Sequence, residues 1–143
     1  RLNKFIKTRT ENRNKIINAL KMDPRWNNQF QFIEIPKNIN PSFMGLPILL
    51  NKKMNKKIKI KFLFYLEESG IETRPILTGN FLNQPSIKLF GLNKKKLKFQ
   101  GAQSVEELGF LIGLHTKKIK ENHLNLIKNS FFYIDTLSKN SLS

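Results

Sequence analysis

The residues of this chain best equipped for chemistry lie within Gly70–Pro85, which reads G-I-E-T-R-P-I-L-T-G-N-F-L-N-Q-P. Arg74 stands between Thr73 and Pro75 in a short β-like run made of Ile71, Thr73, Ile76 and Leu77, and Thr78, Asn80 and Gln84 follow at once. A solvated connection is normally built from Gly, Asp, Ser and Lys. An Arg at a strand end instead presents a planar fork of donors that fits a carboxylate or phosphate in two-point fashion. Its other reading is an ion pair with an internal carboxylate. Asn80 and Gln84 are four residues apart around Phe81 and Leu82. If the stretch coils, both carboxamides share one face, where they could hydrogen-bond sugar hydroxyls or a phosphate. Alternatively they satisfy the backbone of an irregular loop. His115 follows the apolar run Phe110–Leu114, in which Gly113 thins the backbone. A strand-end imidazole there either reaches a ligand or caps the following turn.

Other chemistries find little support. The chain has two His and no Cys, which removes thiolate zinc sites, disulfides and any iron–sulfur cluster held within this segment. His123 lies among Lys and Asn and reads as a solvated helix residue. No carboxylate pair or Ser–His–Asp spacing suggests hydrolysis. The lysines come in short runs, such as Lys52-Lys53, Lys56-Lys57 and Lys94–Lys96, so none is expected in a desolvated pocket that would depress its pKa. No catalytic residue and no metal ligand is therefore assigned. Trp26, after Arg25, reads as a packing anchor.

The elements that must position these residues follow from hydrophobic spacing. Leu2, Phe5, Ile6, Ile16, Ile17 and Leu20 recur at helical intervals, with Arg9, Asn12 and Arg13 filling the middle of that face, and Met22-Asp23-Pro24 ends the helix. Phe30 and Phe32 alternate with Gln29 and Gln31 in a half-buried strand running to Pro36. Met44–Leu50 suits a central strand, with Pro47 limiting its ladder bonding on one side. Asn55 caps a helix with apolar positions Ile58, Phe62, Leu63, Tyr65 and Leu66, which Gly70 stops. A turn of helix is expected near Ser86–Phe90 and a basic surface excursion over Leu92–Gln100. The S-V-E-E capping box places the next helix start at Ser104, ending near Gly109. Phe110–Leu114 is a strand, and Ile119, Leu124, Ile127, Phe131 and Ile134 form the stripe of one terminal helix that frays into Ser138–Ser143. The mixture predicts an α+β fold, a small mostly antiparallel sheet with helices on one face.

With 143 residues, 39% of them hydrophobic and 12 of them Phe, the chain suffices for one domain, 1–143, with a real core. The balance of 26 Lys+Arg against 10 Asp+Glu, net +16, raises a basic nucleic-acid-associated module as the alternative function. Few aromatics interleave the Lys runs as a base-stacking groove requires, so no specific nucleic-acid partner is assigned. No apolar run is long enough to span a bilayer and no signal-peptide pattern opens the chain, so an intracellular protein without a membrane partner is expected. The start at Arg1, straight into a helical pattern, suggests a trimmed or truncated product.

Four segments, in order, resemble the C-terminal domain of the DegT/StrS-type nucleotide-sugar aminotransferases, pyridoxal-phosphate enzymes of the fold-type-I scaffold. Phe5, Arg9, Asn12 and Leu20 sit in a helix similar to the one leaving that family's large domain. P-S-F-M-G-L-P-I-L-L, Pro41–Leu50, resembles the family's P-S-W-F-G-F-P-I strand, with Phe43 where Trp is usual. S-G-I-E-T-R-P followed by G-N-F-x-x-Q-P resembles most closely the branch holding the sugar 3-dehydratases. G-F-L-I-G-L-H, Gly109–His115, resembles the last strand. The resemblance implies that 1–22 is a connecting helix from an absent large domain and 23–143 the small domain. It implies transamination or 3-dehydration of a nucleotide-linked 4-keto-6-deoxy-sugar, with pyridoxal 5′-phosphate and the proton-transferring Lys or His held by the large domain. The implied setting is deoxy- and amino-sugar synthesis for surface polysaccharide such as O-antigen, in a cytoplasmic homodimer using an amino donor. Arg74, Asn80, Gln84 and His115 would then bind substrate, and the segment alone would be inactive.

Overall fold

The computed structural model describes residues 1–77, 79–91 and 98–140. Thr78, most of the basic excursion (92–97) and the end of the chain (141–143) lie outside the described residues. The elements run α1 (Leu2–Lys21), β1 (Phe30–Phe32), β2 (Gly45–Leu50), α2 (Lys56–Glu68), β3 (Thr73–Arg74), α3 (Gln100–Leu108), β4 (Gly109–Gly113), α4 (Glu121–Phe131) and α5 (Ile134–Lys139), with two short 3₁₀ turns at Phe81–Asn83 and Pro85–Lys88. The four strands form one antiparallel sheet in the order β1-β2-β4-β3, the α+β architecture expected.

Register and burial together decide which face of the sheet is closed. Phe30 lies opposite Leu50, Ile48 opposite Phe110, and Leu46 and Thr73 both opposite Ile112, and all of these are buried. Because side chains alternate along a strand, the other face carries Gln31, Leu49, Pro47, Leu111 and Arg74. Leu111 faces Pro47 on one side and Arg74 on the other. The closed face packs on the helices through an aromatic cluster. Phe62 of α2 lies 5.9 Å from Phe30 and meets Phe110 and Phe131 edge-on at 5.9 and 5.8 Å. Ile16, Ile17 and Leu20 of α1 join the same core. Trp26 is the anchor expected, stacked on Phe32 at 6.1 Å.

Local chemistry sets the element ends. The Asn55 side chain accepts the Ile58 N–H at 3.0 Å and starts α2. Gly70, at φ +81°, ends it: Gly70 N–H donates to Glu67 O and Ile71 N–H to Leu66 O, the paired bonds of a Schellman cap. Pro47 is tolerated because β1 stops pairing at Phe32↔Ile48, one residue short of it.

Four expectations need correction. β1 is three residues long and does not reach Pro36, since the Ile33 carbonyl is taken by Arg13 Nη2 at 2.6 Å. β3 stops at Arg74; Pro75 has no N–H to offer, and Leu77 turns to φ +47° and lies exposed. α3 begins at Gln100, so Ser104 is interior and no capping box forms; Glu107 accepts the Gln103 side chain at 2.7 Å instead. The terminal helix is two, broken at Phe132–Tyr133. The break buries Phe132 and Ile134 and stacks Tyr133 on Tyr65 at 3.8 Å.

Phe62→Ala should destabilise the fold by about 3–5 kcal/mol, the cost of emptying a buried aromatic site. Phe64→Ala, at a position 63% exposed on the same helix, should stay within about 0.5 kcal/mol of the parent. Urea unfolding of both variants checks the contrast.

Candidate functional site

Three structures carry the candidate site residues: the β4 exit, the β3 edge and the irregular arm Gly79–Gly91. The β4 exit is fixed by the polar residues in the middle of α1. Arg9 Nε donates to Leu114 O at 3.1 Å. Asn12 Nδ2 donates to His115 O at 3.0 Å and Lys117 O at 2.8 Å, while its Oδ1 accepts the Ile119 N–H at 2.9 Å. With Asn12 only 2% exposed, all three carboxamide bonds form away from water and hold the turn firmly. His115 caps that turn, its Nδ1 accepting the Lys117 N–H at 2.9 Å. The neutral ring therefore carries its proton on Nε2. His115 and His123, both exposed, line one groove of about 460 Å³ together with Glu72 and Met44.

Arg74 stands on the open sheet face, and its guanidinium pairs with the Glu72 carboxylate two residues back. The partner is not internal: the two side chains are 68% and 72% exposed. A surface pair of this kind contributes about 0–1 kcal/mol, so Glu72 is readily displaced by a competing anion.

The arm is built against α3 by residues that sequence reasoning did not single out. Gly79 has φ +64°, and a Cβ there would sit 2.8 Å from Glu106 Cβ and Cγ. No other residue fits. The Glu106 carboxylate accepts the Asn80 N–H at 2.7 Å and the Asn83 side chain at 3.1 Å to each oxygen. Those two donations, the backbone one first, hold its carboxyl below the usual range. Gln103 Oε1 accepts from Asn80 Nδ2 at 2.9 Å and from Asn83 Nδ2 at 3.0 Å. Asn80 Oδ1 takes the Leu82 N–H at 3.1 Å. Asn80 is thus 5% exposed and its carboxamide is engaged in building the loop. Gln84 lies half-buried between the two 3₁₀ turns, with its N–H on Phe81 O, so the coil that would align it with Asn80 is interrupted. Leu82 and Ile87 are buried beneath the arm.

Lys59 overturns the expectation that every lysine is solvated. Its Nζ donates to Glu106 O at 2.7 Å and to Gly109 O at 3.2 Å, closing the end of α3, and burial lowers its pKa. The sequence signal for this network was available: Gln103 and Glu106 lie one turn apart on α3, facing a Gly-Asn pair.

No protein-family profile and no curated protein sequence matches the chain. Solved structures do match. GDP-4-keto-6-deoxy-D-mannose-3-dehydratase from E. coli, with bound hydrated PLP, superposes with a TM-score of 0.70 at 22% identity over 90% of this chain and 31% of that one. Spr1654 of Streptococcus pneumoniae, described as a sugar aminotransferase, in its apo-form gives 0.78 at 11% identity over 96% and 33%. The sugar aminotransferase CalS13 from Micromonospora echinospora gives 0.66 at 12% over 89% and 30%. The chain therefore has the fold of a segment shared by these enzymes, and it spans about a third of their length.

Glu106→Ala should loosen the arm by about 1–3 kcal/mol, because it orphans the N–H of a buried residue. The sign with pH follows from the lowered carboxyl: its contribution is complete above the usual carboxylate range and fades as pH falls through the lowered value. The protection factors of Asn80–Gln84, the intrinsic exchange rate at each pH divided by the observed rate, should fall on acidification in the unsubstituted chain, and Glu106→Gln should remove that limb.

Proposed function

We propose that this chain is the small-domain portion of a longer pyridoxal-phosphate enzyme that transaminates, or dehydrates at C3, a nucleotide-linked 4-keto-6-deoxy-sugar. The observation that carries the reading is the agreement between the fold and the motif it displays: E-T-R-P at β3 sets the Arg74 fork on the open face of a sheet shared with sugar aminotransferases and a sugar 3-dehydratase. In this reading α1 leads from the large domain, and the parent works as a cytoplasmic homodimer in deoxy-sugar synthesis. No helix among the described residues is long and apolar enough to cross a membrane.

The residues present do not fit the cofactor itself. Lys59 is the one described lysine whose pKa burial lowers, yet its ammonium is bound to two carbonyls beside a cavity of about 90 Å³. Cofactor and proton-transferring base would therefore be supplied elsewhere in the parent. The part left to this chain is recognition. Arg74 would exchange Glu72 for an anionic group of the substrate or the amino donor. His115, locked by Asn12, offers Nε2–H as a donor at the neighbouring edge. Asn80 and Gln84 act through the shape of the arm.

The basic nucleic-acid module predicts lysines gathered on one face. Exposed lysines are carried instead by α1 (Lys4, Lys15), the turn before α2 (Lys52, Lys53), α2 (Lys57, Lys61), the β4 exit (Lys117) and α5 (Lys139), which favours the enzyme reading.

In the full-length parent, Arg74→Lys keeps the charge but loses the fork, and kcat/KM should fall by the equivalent of about 2–4 kcal/mol with thermal stability unchanged. Unchanged kinetics with lowered stability would assign Arg74 to the framework. Assay of the parent with a nucleotide 4-keto-6-deoxy-sugar and glutamate separates the chemistries, an amino-sugar marking transamination and a 3-deoxy product dehydration. The G-N-F-L-N-Q-P sequence of Gly79–Pro85 favours the latter. The chain alone, titrated with pyridoxal phosphate, should give no stoichiometric aldimine absorbance.

A further inference from the structure

Between the arm and the start of α3 lies a cleft of about 260 Å³, lined by Asn80, Leu82, Asn83, Lys98, Phe99, Gln100 and Gln103. Its back wall is rigid. Asn80 and Gln103 are joined at 2.9 Å, Gln103 Nε2 is held by Glu107 at 2.7 Å, and Leu82, 7% exposed, forms an apolar floor. Its rim is different. Phe99 is 55% exposed, and the Gln100 carboxamide and Lys98 ammonium have no hydrogen-bond or ion-pair partner among the described residues. The Asn83 Nδ2 is anchored to Gln103 and Glu106, which leaves its Oδ1 as an acceptor. Among the described residues no carboxylate lines the cleft; those of Glu106 and Glu107 stand behind it, bonded to the wall amides of Asn83 and Gln103.

A fixed wall of amides, an exposed aromatic face, a carboxamide edge and one cation make up the set that recognises a flat heterocycle joined to phosphate. The ring of Phe99 offers the stacking surface. Gln100 and Asn83 offer donor and acceptor to ring edges, and Lys98 a point charge for phosphate. The volume lies just below the roughly 300–1,000 Å³ of whole-ligand pockets, so it suits one ring and its first substituents. We propose that this cleft is the seat of the nucleoside diphosphate end of the substrate, with Phe99 stacked on the base and Lys98 on a phosphate. The assignment rests on the nucleotide-sugar reading above and adds to it the part of the molecule that recognises the nucleotide.

A chain with net charge +16 attracts any polyanion, so the test must separate a base from bare phosphate. The 143-residue chain, labelled with ¹⁵N, is titrated in about 150 mM salt with guanosine 5′-diphosphate, uridine 5′-diphosphate and inorganic pyrophosphate. At least one nucleoside diphosphate should shift the amides of 80–83 and 98–103 saturably, and bind about tenfold more tightly than pyrophosphate, on the scale of one base–aromatic stack. Phe99→Ala should abolish that margin while leaving pyrophosphate binding alone, Phe99→Tyr should retain it, and Lys98→Ala should weaken all three ligands. Equal affinity for pyrophosphate and nucleotides, shifts confined to other surfaces, or no shift at all would overturn the assignment. A parent that turns over its keto-sugar while these amides stay silent would remove this subsite and leave the enzyme reading. Shifts at the cleft with an inactive parent would do the reverse.

Discussion

The Asn80 N–H donating to Glu106 at 2.7 Å is the contact on which the irregular arm Gly79–Gly91 depends. A segment without regular structure has no ladder to satisfy its backbone, and each buried N–H must find a partner or cost about 1–3 kcal/mol. Glu106 supplies the partner for the arm, Gly79 permits the approach, and Lys59 holds the Glu106 carbonyl so that the helix end carrying the carboxylate cannot drift. The same solution is used on the other side, where the Asn12 carboxamide fastens His115, Lys117 and Ile119. Two polar side chains on helices, Asn12 buried and Glu106 half-buried, thus fix two irregular segments, and every candidate site residue except Arg74 belongs to one of them.

Arg74 is positioned by the sheet itself. A four-stranded sheet closed on one face by Phe62 and its neighbours leaves alternate residues of β2, β4 and β3 on the other. Period-two alternation puts Thr73 inward, where its hydroxyl donates to Glu67 at 2.6 Å, and Arg74 outward. A one-residue slip would exchange them, burying a guanidinium without a partner. The Schellman cap at Gly70 guards against such a slip, because it fixes where the chain leaves α2 before entering β3.

How much of this was legible depends on the range of the interactions. α1, α2, β2 and β4 were readable because their signals are local: periodic apolar residues, an Asn cap, a Gly stop. The start of α3 was misread because S-V-E-E satisfies the capping pattern, whereas the folded chain uses Glu106 and Glu107 for bonds to the arm and to Gln103. The break at Tyr133 was invisible because its cause, the stacking on Tyr65, spans 68 positions of sequence. For the site, Arg74 and His115 could be placed on their elements from sequence. The inward turn of Asn80 could not, since it depends on Gln103 and Glu106, more than twenty residues away.

The abundance of basic residues also resolves into distinct kinds. Most lysines are solvated and add only to long-range attraction for anions. Lys59, Arg9 and Arg13 instead serve as donors to backbone carbonyls at the ends of elements. Arg13 shows why the distinction matters. It is 8% exposed, and burial lowers its pKa; one arm of its fork reaches Ile33 O, and its Cζ lies 4.9 Å from the centre of the Phe43 ring. Its Nε is a buried donor with no hydrogen-bond partner among the described residues. A ring of larger π-surface at position 43 would hold a guanidinium more strongly than Phe43 does. The first strand ends where it does because Arg13 takes the Ile33 carbonyl, so this buried cation sets the border of the sheet whose far edge carries Arg74.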